Sequence, residues 1–476
     1  AAQAALLTTL ADVHRNLGLQ KRAAELHAQA LERRLELFGP KSLEAAESQD
    51  RLGDTDRLIG RLDEAETLLR QSLATREALL PPDDPAVADS LNNLGLLFSE
   101  TGRPGEAEPL LRRGLEIRLD RLGPDDPETL VSRSNLGQLL MNQRRYPEAE
   151  AQLREAADRR LALYGERHPK VAHSFQTLAT LLDREERDAE AEELFERSIR
   201  IFREVLPGDH PFVASALSNL ASLYQDQGRH AEAEPLYREA LDIDRATGSA
   251  GALPFAYSLN NLGSLLEDQG RYGEAEELYE QSLALRRQLL GDDNASVAGM
   301  KARMGRLAVY AGDLATAKRR LDEAWAWQDP HLPPDDLARA STLTYRGDLA
   351  RATGDLATSE TLLREALDIY RQALPATSPT LGLAQTELAW TLALSSEPAR
   401  CQPLLDAARP LLDHQDAPPQ HRARLLLAAG FYEAAQGQTK QAQADFQAAI
   451  DLLDPTLGPQ NYWARVAETE QARLRR

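Results

Sequence analysis

Apolar residues recur along this chain at intervals of three and four, and alternation of apolar with polar positions is almost absent. The first spacing places apolar side chains on one side of an α-helix, whereas alternation would place them on one face of a strand, so the pattern predicts an all-helical chain. Set against itself, the sequence repeats with a period of 42. Gly18, Gly60, Gly102, Gly228, Gly270, Gly312 and Gly354 mark the period, Gly437 falls one residue short of register, and Arg144, Glu186 and Ser396 occupy the missing rungs. Each lies where one helical pattern stops and the next starts, a place for a residue that accepts the left-handed conformation. The thread predicts about eleven helix-turn-helix units.

Rows of small residues run in the same register. Ala11, Gly53, Gly95, Gly137, Ala179, Ala221, Gly263, Gly305, Gly347, Ala389 and Gly430 sit on the first helix of each unit, where a tiny side chain lets the paired helices approach closely. The second helix carries a row from Ala23 to Ala442, interrupted by Ser359 and Cys401, and another seven residues on, from Ala30 to Ala449. Seven residues are two turns, so both rows share one face. Large apolar rows such as Leu52, Leu94, Leu136 and Leu178 fill the layers between. A hairpin of this length cannot bury both faces alone, which predicts stacking into a right-handed α-solenoid.

The unit boundaries Asp84-Pro85, Asp126-Pro127, His168-Pro169 and His210-Pro211 pair a polar cap with a proline at the first helical position. Regularity fails after about residue 294, where Arg346 takes a rung held elsewhere by Leu or Met, and looser packing is expected there. The expected organisation is a divergent first unit (1–42), a regular block (43–294), a divergent block (295–454) and a C-terminal capping helix (455–476), its polar-sided pattern starting near Pro459.

Composition narrows the function. The net charge of −20 disfavours nucleic acid, since no basic stripe offsets it. The longest apolar run, Leu425 to Tyr432, is far short of the roughly 18 residues that cross a bilayer. One cysteine, Cys401, excludes a disulfide framework and fits a reducing cytoplasm. Only six of the 55 basic residues are lysine, a bias that suits a GC-rich bacterial gene, and the start at Ala-Ala-Gln without Met suggests a segment of a longer protein.

Ser90-Leu91-Asn92-Asn93-Leu94-Gly95, Gly102-Arg103, Glu106-Ala107-Glu108-Pro109-Leu110 and Leu122-Gly123-Pro124-Asp125-Asp126-Pro127 together resemble the tetratricopeptide repeat family, in the 42-residue form of kinesin light chains. The resemblance implies that first helices line a concave groove, that second helices form the back, and that the groove holds an extended segment of a partner protein. It extends to the C-terminal arms of bacterial serine/threonine kinases and other signalling proteins. No kinase element is present in this segment, where His14-Arg15 is followed by Asn16.

Within such a groove the strongest candidate is an asparagine row, Asn93, Asn135, Asn219 and Asn261, doubled by Asn92 and Asn260 and broken by Thr177. An amide donates and accepts, so a ladder of amides can pair with the main chain of an extended peptide whatever its sequence. The competing assignment is that the amides brace adjacent helices. One turn on lie Leu96, Gln138, Thr180, Ser222, Ser264, Arg306 and Asp348, without the Lys and Asn arrangement with which family members clamp chaperone tails. Arg51 and Arg303, with Arg306, are expected to pair acids of a partner or of the protein itself. A further row, Arg61, Arg103, Arg145, Arg187, Arg229 and Arg271, has a glutamate three residues on in every unit, which favours local ion pairs over anion binding. His14 and Asp56 could touch laterally, and Cys401 stands on an alanine rung as a packing residue.

No phosphate loop, zinc spacing or catalytic triad is legible, so no cofactor or metal is expected. The reading is a non-catalytic scaffold that docks a protein or peptide in its groove, as the arm of a larger bacterial signalling protein. The alternatives are a free adaptor acting by self-association and, in another class, an enzyme with a site after residue 294 near Tyr345, Arg346 and Asp348.

Overall fold

The computed structural model describes residues 2–16, 19–247, 253–395, 397–414, 417–457 and 460–475, with the backbone alone at 16 and 454–457. Gly18, Ser396 and Pro459 of the sequence pattern lie outside the described residues. Every regular element described is a helix.

The chain forms two compact units, residues 1–206 and 207–476. The first holds α1 (Ala2–Asn16), α2 (Gln20–Phe38), α3 (Leu43–Leu58), α4 (Leu62–Leu79), α5 (Pro85–Glu100), α6 (Pro104–Leu122), α7 (Pro127–Asn142), α8 (Tyr146–Tyr164), α9 (Pro169–Arg184) and α10 (Asp188–Val205). The second holds α11 (Pro211–Asp226), α12 (His230–Ala246), α13 (Leu253–Asp268), α14 (Tyr272–Leu290), α15 (Ala295–Ala311), α16 (Leu314–His331), α17 (Leu337–Ala352), α18 (Leu356–Ala373), α19 (Pro379–Ala393), α20 (Gln402–Leu412), α21 (Pro419–Ala435), α22 (Thr439–Leu457) and α23 (Tyr462–Leu474). Helices pair as hairpins, and within each unit every hairpin packs on its neighbours in chain order, which makes each unit a stretch of α-solenoid.

Local chemistry sets the ends. Asp84 and Asp126 accept from the backbone N–H two residues on at 2.9 Å, and His168 and His210 do the same through Nδ1 at 3.1 and 3.2 Å. In the turns, Arg144 and Glu186 take φ of 60°, where Gly102 has 72°. The turn closes when Arg145 N–H donates to Leu140 O at 2.9 Å and Arg103 N–H to Phe98 O at 2.8 Å. That bond satisfies a helix-end carbonyl, so the two non-glycine residues are held in the left-handed region by the hairpin around them.

The small rows work by contact. A Cβ placed on Gly95 would lie 2.8 Å from Leu111 Cγ, and one on Gly263 would lie 2.6 Å from the Tyr279 ring. Cys401 is fully buried, its Sγ donating to Ala389 O at 3.1 Å, and burial pushes the thiol up to about 12, which keeps it protonated. Beyond residue 294 the interior carries ring contacts: Trp390 stacks on Phe431 at 5.2 Å, and Phe431 meets Phe446 edge-on at 5.3 Å. Arg346 fits its apolar rung by laying its guanidinium over the Trp325 ring at 5.1 Å, 4.0 Å from Asp322.

Candidate docking face

Two kinds of arginine join one hairpin to the next. Five of the six arginines of the outer row pair with the glutamate three residues on, as the sequence predicts, and Arg61 instead lies 3.5 Å from Asp56. Arg103 bonds Glu106 at 2.8 Å and also Glu66 of the preceding hairpin at 2.6 Å, while Arg145 bonds Glu148 and Glu108, both at 2.7 Å. Arg187 and Arg271 repeat the arrangement with Glu150 and Glu234. Each of these four guanidiniums is occupied by two carboxylates, which disfavours anion binding there. The second kind was not singled out in the sequence. Near the end of α6, buried Arg118 donates to Glu128 O at 2.9 Å and Ser132 Oγ at 2.7 Å on α7; Arg76 makes the matching two bonds one hairpin earlier, and Arg160 the matching serine bond one hairpin later, its Nη2 donating to Leu130 O of α7. The signal was present as arginine at 76, 118 and 160 with serine fourteen residues on each time.

With the second helices bonded in this way, the first helices of each unit present a shared face. In the first unit it holds an open cleft of about 750 Å3. Arg51, Asn92, Asn93 and Asn135 line it, together with Arg15, Asp50, Asp54, Arg57 and Leu96. The amides form a ladder across successive first helices: Asn93 Nδ2 donates to Asp50 Oδ2 at 3.0 Å, and Asn135 Nδ2 donates to Asn92 Oδ1 at 2.9 Å. Asn92 is buried and Asn93, Asn135 and Gln138 are half-buried. Asn93 and Asn135 thus each direct an amide N–H laterally, as bracing requires, and each has a carbonyl oxygen beyond that bond. Asp50, buried at the floor, is pushed up to about 6 by burial, against the pull of Arg76 at 3.5 Å. Arg51 is held by Asp12 at 2.7 Å and Glu47 at 3.2 Å, and Arg15 by Asp54 at 3.0 Å. His14 and Asp56 do not pair; Asp56 is 3.5 Å from Arg61.

In the second unit Asn219 is half-buried on α11, and Asn260 donates to Asn261 Oδ1 at 3.4 Å on α13. Arg303 donates to Ser264 Oγ at 3.3 Å, and Arg306 is paired with buried Glu267 at 2.7 Å and lies over the Tyr345 ring at 5.0 Å. All three singled-out arginines therefore have partners within the chain, and what they offer a ligand is the remainder of a five-donor group.

Further along, Arg351 bonds Asp348 at 2.8 Å and Glu387 at 2.7 Å, Arg424 donates through Nε to Glu387 at 3.1 Å, and a small pocket of about 200 Å3 opens beside them. Asp348, Glu387 and Arg351 are each buried. Burial and the adjacent Glu387 carboxylate push Asp348 up to about 7. Arg424 and Arg351 outweigh burial at Glu387 and hold it below the usual carboxylate range. Glu387 and Trp390 are marked in the sequence only by register, since neither side chain repeats the chemistry of the rungs before it. Counting on by 42 from Asn261 leads through Arg303 and Tyr345 to Glu387, and from Asp348 to Trp390. Among the described residues no group of three or more His, Cys, Asp or Glu is placed to hold a metal, and no helix is long and apolar enough to cross a membrane.

A tetratricopeptide repeat profile matches residues 2–78, 60–120, 128–204 and 184–246, and a second profile of the same repeat matches 255–296 and 339–380. Among solved structures, aspartyl phosphate phosphatase F from Bacillus subtilis is 14% identical over 79% of this chain and 95% of its own, with a TM-score of 0.51, a likeness of fold. BtubC (BKLC) from P. vanneervenii is 22% identical over 49% of this chain and 92% of its own, with a TM-score of 0.41. A putative kinesin light chain from Podosopora anserina with nearly identical TPR-like repeats is 26% identical over 44% and 98%, with a TM-score of 0.39. No curated protein matches the chain. The repeat is a non-catalytic fold that binds proteins or peptides, and with it matched in both units the chain belongs to the tetratricopeptide repeat family of protein-interaction scaffolds.

Proposed function

We propose that the chain docks an extended segment of a partner protein along the first-helix face, and that it does so as the interaction arm of a larger bacterial signalling protein, such as a serine/threonine kinase. The observation that carries the docking is the open cleft of the first unit with its amide ladder. Carbonyl oxygens of Asn93 and Asn135 can accept from the main chain of a bound segment, while the surrounding arginines and carboxylates, arranged in neutralising pairs, select side chains by local charge rather than by a single-sign field. The arm reading is supported by the sequence resemblance, and the sequence of the full gene tests it.

The docking is tested with peptides selected on the full chain from a random display library. Their affinity is then measured by fluorescence anisotropy for wild type and for the double variant Asn93→Ala, Asn135→Ala. A loss of about tenfold or more with unchanged helical circular dichroism is expected. Equal affinity in the folded variant rejects the face.

A further inference from the structure

The rows that line the open cleft of the first unit continue into the second as Arg303, Tyr345 and Glu387, and as Arg306, Asp348 and Trp390. There the face is not open, because α23 lies across it. Asn461 Nδ2 donates to Asp268 O at 2.7 Å, the Tyr462 backbone N–H to Tyr272 Oη at 2.6 Å, and Arg465 Nη2 to Tyr310 O at 2.7 Å. The Tyr462 ring stacks on Tyr310 at 4.8 Å. The Trp463 ring lies 5.4 Å from Tyr310 and 5.7 Å from Trp390, with the Arg424 guanidinium 4.6 Å from its centroid. Gly270 is crossed so closely that a Cβ there would lie 2.6 Å from Asn461 N.

Part of α23 closes the end of the stack by packing on α22. Trp463, Ala464 and Ala467 share a buried cluster with Phe446 and Ala449 of α22, and Gln471 bonds Gln447 at 2.8 Å, which covers the terminal hairpin. The contacts made by Asn461, Tyr462 and Arg465 instead reach 155 to 193 residues back along the chain. They are also of a transferable kind: an N-cap amide, two aromatic rings and a guanidinium on a helix of 13 residues, a length that is marginal alone at about 12–15 residues. Trp463 is the one large side chain that α23 buries.

We propose that α23 is a resident ligand of this face, and that the second unit accepts in its place a helical segment of a partner protein bearing a polar cap, two consecutive aromatic residues and an arginine two positions after the second. The inference rests on reading the chain as a docking scaffold but not on the amide ladder of the first unit. Exchange of one helix for the other couples partner binding to release of the C-terminal segment.

The probe is a fluorescent peptide of residues 460–475, added to the full chain. Full-length Trp463→Ala is expected to bind it at least about tenfold more tightly than wild type does, because the variant's own helix competes less well, and a probe carrying the same substitution is expected to bind neither. Equal affinity of both chains overturns the proposal. Should the variant not fold, hydrogen exchange on the wild-type chain decides. Excess unlabelled probe that strips protection from amides 462–474 while α22 keeps its own supports exchange, and unchanged protection shows a permanent cap and overturns it. If protection of α23 falls on dilution together with loss of a dimer in light scattering, the occupant is a second copy's helix and the partner helix is rejected. Library peptides that still lose affinity through Asn93→Ala and Asn135→Ala while α23 stays locked leave the docking reading standing and remove only this inference.

Discussion

At the scale of single residues, the chain distinguishes glycines that permit contact from glycines that do not. Gly95 lies against Leu111 with no room for a methyl group, whereas Gly105 on α6 faces open space. Substitution at the first must displace a packed side chain, which costs about 1–3 kcal/mol. At the second it only stiffens a helical backbone, worth at most about 1 kcal/mol of gain. Gly95→Ala is therefore expected to lower the urea midpoint and Gly105→Ala to leave it or raise it. Similar losses from both would mean that the close approach of α5 and α6 is not what the small row secures.

At the scale of elements, stability depends on how one hairpin is bonded to the next, and the two arginine kinds differ because water reaches only one of them. Arg118 is buried, and removing it leaves the buried Ser132 hydroxyl without that donor, at about 1–3 kcal/mol for a buried polar group left unmade. Arg103 bonds two partly exposed glutamates that water can solvate in its absence. Arg118→Ala is expected to lower the unfolding midpoint markedly and Arg103→Ala much less, as read by denaturant titration at matched salt. The reverse order would place the joint between hairpins on the exposed side. The exposed row was legible in the sequence because Arg and Glu stand three residues apart. The buried row, and the second glutamate of each exposed pair, were not, because those partners lie on a neighbouring hairpin.

At the scale of the whole molecule, the buried charges of the second unit make its stability depend on pH. Asp348 on α17 faces Arg351 on its own helix, Glu387 on α19, Arg424 on α21, Tyr310 on α15 and Tyr462 on α23. Its folded value near 7 stands above the ordinary 3.8, so the folded chain keeps a proton that the unfolded chain releases. The stability from that proton is complete below about pH 4 and is lost as pH rises to about 7. Asp348→Asn, neutral and close in shape, is expected to flatten the decline that wild type shows across that interval, measured as denaturant midpoint against pH. An unchanged slope would mean that Asp348 is already ionised in the folded chain.

Periodicity, turn chemistry and side-chain size act within one hairpin, and they suffice to read the helical class, the 42-residue repeat, the capped boundaries and the packing role of Cys401 from sequence alone. The asparagine row was legible for the same reason, as a register. Whether its amides brace or bind was not, since the bonds from Asn93 to Asp50 and from Asn135 to Asn92 join residues 43 apart on separate helices. Tertiary structure alone decided that Glu387 and Asp348 are buried together, and that Tyr462 and Arg465 return to Tyr272 and Tyr310. That return depends on the small rotation of each hairpin on the one before it, summed over several interfaces, and no pattern confined to one repeat records such a sum.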